Sequence, residues 1–164
     1  MKSMVMQQAS DVSVFLVDVT KEFSAYLETR TLNDLLAENE NCREEIVREY
    51  ISSLRRLLVF GEEALDACEL VLNNAEFHKG AAEKVLYGVY HQIIGEFFAP
   101  KKDIWYEDSR SAYTGKNCIK FRGEVPASLQ ELFSSVEGKF QHAREELEYY
   151  ETDYRTKMNL KQEG

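Results

Sequence analysis

The chain has 164 residues, 44% of them hydrophobic and 30% charged. That is enough for one domain, spanning 1–164, to bury about two-thirds of its unfolded surface with no metal or disulfide to brace it, and it argues against a disordered chain. A net charge of −9 argues against generic binding to nucleic acid or a membrane surface, since both run on neutralising phosphate.

The first helix is predicted to start near Ser10 or Asp11, either of which can cap it. Val12, Phe15, Leu16, Val19, Phe23, Tyr26 and Leu27 then recur at three- and four-residue steps, the mark of one buried helical face. The run Val12–Val17 lies between Asp11 and Asp18 and is too short for a signal peptide. No stretch approaches the roughly 20 apolar residues of a membrane span. Thr31 caps a short piece over Leu32–Glu38, with Asp34 in its first turn.

A long helix is predicted from about Arg43 to Leu72, on the stripe Val47, Tyr50, Leu54, Leu57, Leu58, Leu65, Cys68 and Leu72. Gly61 sits in that stripe. Glycine costs about 1 kcal/mol against alanine inside a helix, and the periodicity continues in phase across it, so Gly61 implies close approach of a neighbouring helix. Asn73-Asn74 is expected to end the helix through a left-handed residue. The next helix is predicted over Ala75–Phe98. Ala82, Leu86, Val89, Ile93 and Phe97 make one face, and Tyr87, Tyr90, Ile94 and Phe98 a second beside it. A helix that wide in apolar surface is buried on more than one side, so the insert, a partner chain or a ligand must cover the second face.

The only two prolines, Pro100 and Pro126, bracket a segment that does not read as helix. From one to the other there are six Lys/Arg and four Asp/Glu, a net of +2 on a body of −11. Ser109–Tyr113 and Cys118–Arg122 are predicted to pair as a β-hairpin around Thr114-Gly115-Lys116-Asn117, with Ile119, Phe121, Tyr113 and Trp105 docked on the second face of the preceding helix. Past Pro126 a last helix is predicted, capped by Ser128 and running to about Met158 on Val136, Phe140, Ala143, Leu147, Tyr150 and Tyr154. The fold class is therefore mainly α: a four-helix up-and-down bundle with a β-hairpin insert, at about 101–125, between the third and fourth long helices.

Arg55–Phe60, then Trp105–Asn117, then Glu148–Tyr154 resemble the YpuI-like family, small uncharacterised proteins of Bacillus-type bacteria, and the resemblance covers most of the chain. It implies a bacterial, cytoplasmic setting. It supplies no activity, cofactor or catalytic residue to place on these positions.

Searched for chemistry, the chain offers little. There is no Glu-x-x-His pair for a di-metal bundle, no nucleophile elbow and no phosphate loop. Cys42, Cys68 and Cys118 are widely spaced with no Cys-x-x-Cys pair, which speaks against disulfides and zinc and fits a reducing cytoplasm. His78, His91 and His142 fall on edges or away from the apolar stripes and read as exposed side chains, not metal ligands. No cofactor, metal site or catalytic residue is expected. The insert remains: Trp105, Tyr106, Asp108, Arg110, Tyr113 and Lys120 are the candidate binding residues, of the types that dominate protein interfaces. The reading is a non-enzymatic interaction module that binds a protein partner or a second copy of itself. A solvated hairpin whose charges pair among themselves is the plainer reading. The alternative is a small anionic ligand site, or an enzyme site, under the hairpin, with Arg110, Lys120 and a tyrosine converging on a pocket.

Overall fold

The computed structural model describes residues 3–108 and 118–163. It is mainly helical, with one two-stranded antiparallel sheet. Helix α1 spans Met4–Thr29, α2 Leu32–Glu38, α3 Glu44–Asn73 and α4 Lys79–Gly88. A π-helical segment, Val89–Ile94, continues α4 into the single turn of α5, Gly95–Phe98. Strands β1 (Trp105–Glu107) and β2 (Ile119–Phe121) precede α6 (Ala127–Glu146), a 3-10 turn at Glu148–Tyr150, and α7 (Asp153–Glu163).

Helix α1 begins earlier than Ser10. Ser3 caps it, its Oγ accepting the Met6 N–H at 3.1 Å, because Val5 and Ala9 extend the buried stripe by two turns. Helix α2 has the expected bounds. Thr31 and Asp34 form a reciprocal capping box, Asp34 N–H donating to Thr31 Oγ1 (3.1 Å) and Thr31 N–H to Asp34 Oδ2 (2.9 Å). These bonds hold the Asp34 carboxyl below its usual range. Helix α3 ends at Asn73, but Asn74 is extended (φ −67°, ψ 143°) where a left-handed cap was expected. The following helix starts at Lys79, a turn later than Ala75.

Helix α1 packs on α3, α4 and α6. Gly61 serves the close approach its stripe position implies: a Cβ there would stand 2.8 Å from Thr20 Cγ2 on α1. An aromatic column runs through the core. Phe97 stacks on Phe140 (3.9 Å between centroids, 4° between planes), Phe97 on Phe133 (5.3 Å), and Phe23 on Phe140 (6.1 Å).

The sheet pairs Trp105 with Phe121, Tyr106 with Lys120 and Glu107 with Ile119. The described partner of the second strand is thus Trp105–Glu107, and the predicted partner Ser109–Tyr113, with the Thr114–Asn117 turn, lies outside the described residues. Ser128 does not cap α6. Pro126 holds that place, and Ser128 gives its N–H and hydroxyl to the Glu38 carboxylate, both at 2.7 Å, tying the end of α2 to the start of α6. Helix α6 stops at Glu146, so the predicted run to Met158 is broken, and Leu147, Tyr150 and Tyr154 are buried around the break. Among the described residues no helix is long and apolar enough to cross a membrane.

Candidate functional site

The hairpin is pinned from three directions. Trp105 is fully buried; its Nε1–H donates to the Phe97 carbonyl at 2.7 Å and its ring meets Phe133 edge-on at 4.8 Å. Glu137 of α6 is 4% exposed, and its Oε1 accepts the N–H groups of Cys118 (2.9 Å) and Ile119 (3.1 Å). The Tyr50 hydroxyl of α3 accepts the Gly123 N–H at 3.2 Å, and the Tyr50 ring meets Phe121 at 5.2 Å. Burial, and then the carboxylates of Glu137 and Glu107, push the Cys118 thiol up from its ordinary value.

Beside the hairpin opens a cleft of about 410 Å³, with Tyr90, Ile94 and Phe98 on one wall, Asp103, Tyr106 and Glu107 on another, and Arg144 of α6 between them. Arg144 grips Glu107 with both ends of its guanidinium (2.9 and 2.6 Å) and lies 3.7 Å from the centroid of the Phe98 ring. The two side chains are 26% and 22% exposed, so the pair is largely shielded from water. Asp103 adopts φ 53°, a left-handed conformation that aspartate tolerates better than most residues. From that turn it pairs with Arg122 (3.2 Å), whose guanidinium also covers the Tyr106 ring at 4.5 Å. Burial, then the Glu151 carboxylate, raise the Tyr90 hydroxyl above its usual range.

The cleft adjoins the π-helical segment. A π turn is a one-residue widening of the helix, and such turns are frequent at functional sites. Gly95 closes it by donating its N–H to the Tyr90 carbonyl. The segment is also tied to the chain's C-terminal part: the His91 ring nitrogen donates to the Tyr150 carbonyl at 2.8 Å, and Tyr87 packs on Tyr154 at 5.5 Å.

The predicted residues divide. Tyr106, 38% exposed, and Lys120 form a cross-strand pair on the outer face of the hairpin. Trp105 faces the opposite way and belongs to the core, so its ring offers nothing to a surface partner. Asp108 is half-buried, its N–H donating to the Cys118 carbonyl at 2.7 Å. Arg110 and Tyr113 lie outside the described residues. The second apolar face of the third long helix is covered from within the chain: Ile94 and Phe98 are buried, Arg144 overlies Phe98, and Tyr154 packs on Tyr87. Tyr90 and Arg144 were not singled out as site residues. The signals for them were Gly88 and Gly95 around Tyr90, and the place of Arg144 beside Ala143 on the core stripe.

Among the described residues Arg144 is the one cation lining the cleft, and Glu107 occupies its fork. Among the described residues no three His, Cys, Asp or Glu side chains gather as metal ligands.

No solved structure matches the chain. The uncharacterized protein YpuI of Bacillus subtilis (strain 168) is 42% identical over 149 residues, 91% of this chain and 83% of that protein. A family model described as "Protein of unknown function (DUF3907)" matches residues 9–156, from the second turn of α1 into α7. The chain belongs to that family, as its resemblance to the YpuI-like proteins implied.

Proposed function

We propose that the chain is a non-enzymatic binding module whose recognition surface is the outer face of the hairpin together with the adjoining cleft, and that its partner is another protein. In this reading the four long helical runs are an up-and-down bundle that serves as a rigid stand. The observation that supports the reading is the cleft itself. Aromatic and charged side chains of the types enriched at interface hot spots, Tyr90, Tyr106 and Arg144, converge there on a rigidly pinned ribbon. The two carboxylates among its described lining residues, Asp103 and Glu107, are both engaged in ion pairs.

The test is affinity capture from a bacterial extract, with the wild-type chain against Tyr106→Ala combined with Lys120→Glu, and with Leu70→Ala on α3 as a surface control. One set of proteins, or a second copy of the chain seen by light scattering, should be retained by the wild type and the control and lost from the double variant. A strict monomer whose captured proteins are the same in all three contradicts the reading.

A further inference from the structure

Positive charge also gathers around a concavity away from the hairpin. A pocket of about 230 Å³ sits between the C-terminal end of α1, α2 and the first half of α3, and Arg30, Arg48 and Arg55 all line it. Among the described residues no acidic side chain lines it, on a chain whose net charge is −9. Arg48, Ser52 and Arg55 are spaced four and three residues apart on α3, so all three project from one face. Leu27, Leu32, Leu35 and Ile51 supply its apolar lining, with Tyr26 beside them.

The three guanidiniums are not equally free. Arg30 is pre-positioned, lying 4.5 Å over the Tyr26 ring and bonded to Thr29 Oγ1 at 3.1 Å. Arg48 has a single exposed partner, Glu44 at 3.2 Å, which leaves most of its five N–H donors open. Arg55 makes no ion pair or hydrogen bond among the described residues. The guanidinium fork matches the oxygens of phosphate better than an ammonium does, and an arginine already stacked on a ring loses less freedom on binding. The acidic body opposes anions at long range, but screening confines that opposition to about 8 Å at physiological salt, so the pocket's own charges decide.

We propose that this pocket is a binding site for a small phosphate monoester. The phosphoryl oxygens take the forks of Arg30, Arg48 and Arg55 and the Ser52 hydroxyl, and the ester's apolar portion lies on Leu27, Leu32 and Ile51. The site is independent of the cleft beside the hairpin, and either assignment stands without the other.

Calorimetric titration of the full chain with phenyl phosphate, inorganic phosphate and phenol separates the contributions. Phenyl phosphate should saturate a single site, inorganic phosphate should bind the same site more weakly, and phenol should not bind. Arg55→Ala and Arg30→Ala should each weaken phenyl phosphate by about tenfold or more, Arg55→Lys by less, and Arg56→Ala, which removes the same charge outside the pocket, should leave it unchanged. Circular dichroism establishes that each variant is folded. The proposal is overturned if the wild type shows no saturable binding of phenyl phosphate, if Arg56→Ala weakens it as much as Arg55→Ala, or if inorganic phosphate binds as tightly as the ester.

Discussion

Gly61 and Thr20 set how closely α3 lies on α1: a methyl group on Gly61 would stand 2.8 Å from Thr20 Cγ2. Thr20 cannot simply rotate away, because its hydroxyl donates to the Leu16 carbonyl at 2.6 Å and the side chain is buried. Gly61→Ala therefore sets a gain in helix propensity of about 1 kcal/mol against an overpacking cost of about 1–3 kcal/mol. We expect net destabilisation in urea unfolding. Thr20→Ser keeps the hydroxyl and deletes Cγ2, so the double variant should recover most of the loss. A Gly61→Ala chain as stable as wild type would show that the helices part at no cost.

Glu137 is the carboxylate that fixes the start of β2. Glu137→Ala leaves the Cys118 and Ile119 N–H groups buried without an acceptor, at a cost of about 3 kcal/mol. Glu137→Gln retains a carbonyl oxygen and should lose about 1 kcal/mol. Hydrogen exchange at the two amides distinguishes this from a general loosening: both should exchange faster in the alanine variant under conditions where α1 and α3 remain protected.

All three thiols should be sluggish in the folded chain. Burial drives the Cys68 thiol up to about 12, and Cys42 and Cys118 are raised for the same first reason, aided by nearby carboxylates. The thiolate is the reactive form, so native protein at neutral pH should react slowly with a thiol reagent, and all three cysteines should react at once in denaturant. Half-buried Cys42 should react first. Fast labelling of Cys118 in native conditions would place β2 elsewhere.

Alkali should unfold the protein through its tyrosines. Burial raises Tyr50, Tyr150 and Tyr154 above the ordinary value of 10.0, with Tyr26 and Tyr90 shifted the same way. Below that value both folded and unfolded chains keep these protons, and the groups contribute nothing to the pH dependence. Above it the unfolded chain releases protons that the folded chain retains, so stability falls as pH rises from about 10. Tyrosinate absorbance and helical circular dichroism should change together in one cooperative transition. Gradual ionisation with helicity intact would count against the burial of this group.

Features written in local spacing were legible in the sequence. The Thr31–Asp34 box is a three-residue pattern, and Gly61 announces itself by interrupting a stripe that stays in phase. The break after α6 was not legible, because Phe140, Leu147, Tyr150 and Tyr154 keep a helical period with no proline or glycine among them, and the interruption answers to what Tyr150 and Tyr154 pack against. The strand at Trp105–Glu107 was not legible, because Thr114-Gly115 favours a tight turn between its immediate neighbours, whereas burial of Trp105 on Phe97 and Phe133 places a strand further back in the sequence. The same burial removed Trp105 from the candidate site. Arg144 was missed because a charged residue beside a core stripe usually snorkels to water, and its partner Glu107 is remote in sequence.

Trp105 is the sole tryptophan of the chain, wedged where the ribbon meets the helices. The molecule thus contains its own fluorophore at a joint between its two kinds of secondary structure. Its emission will shift to longer wavelength when that joint opens, even if every helix stays intact. A partner that levers the ribbon away and one that merely rests on its outer face will therefore give different colours, with no label attached.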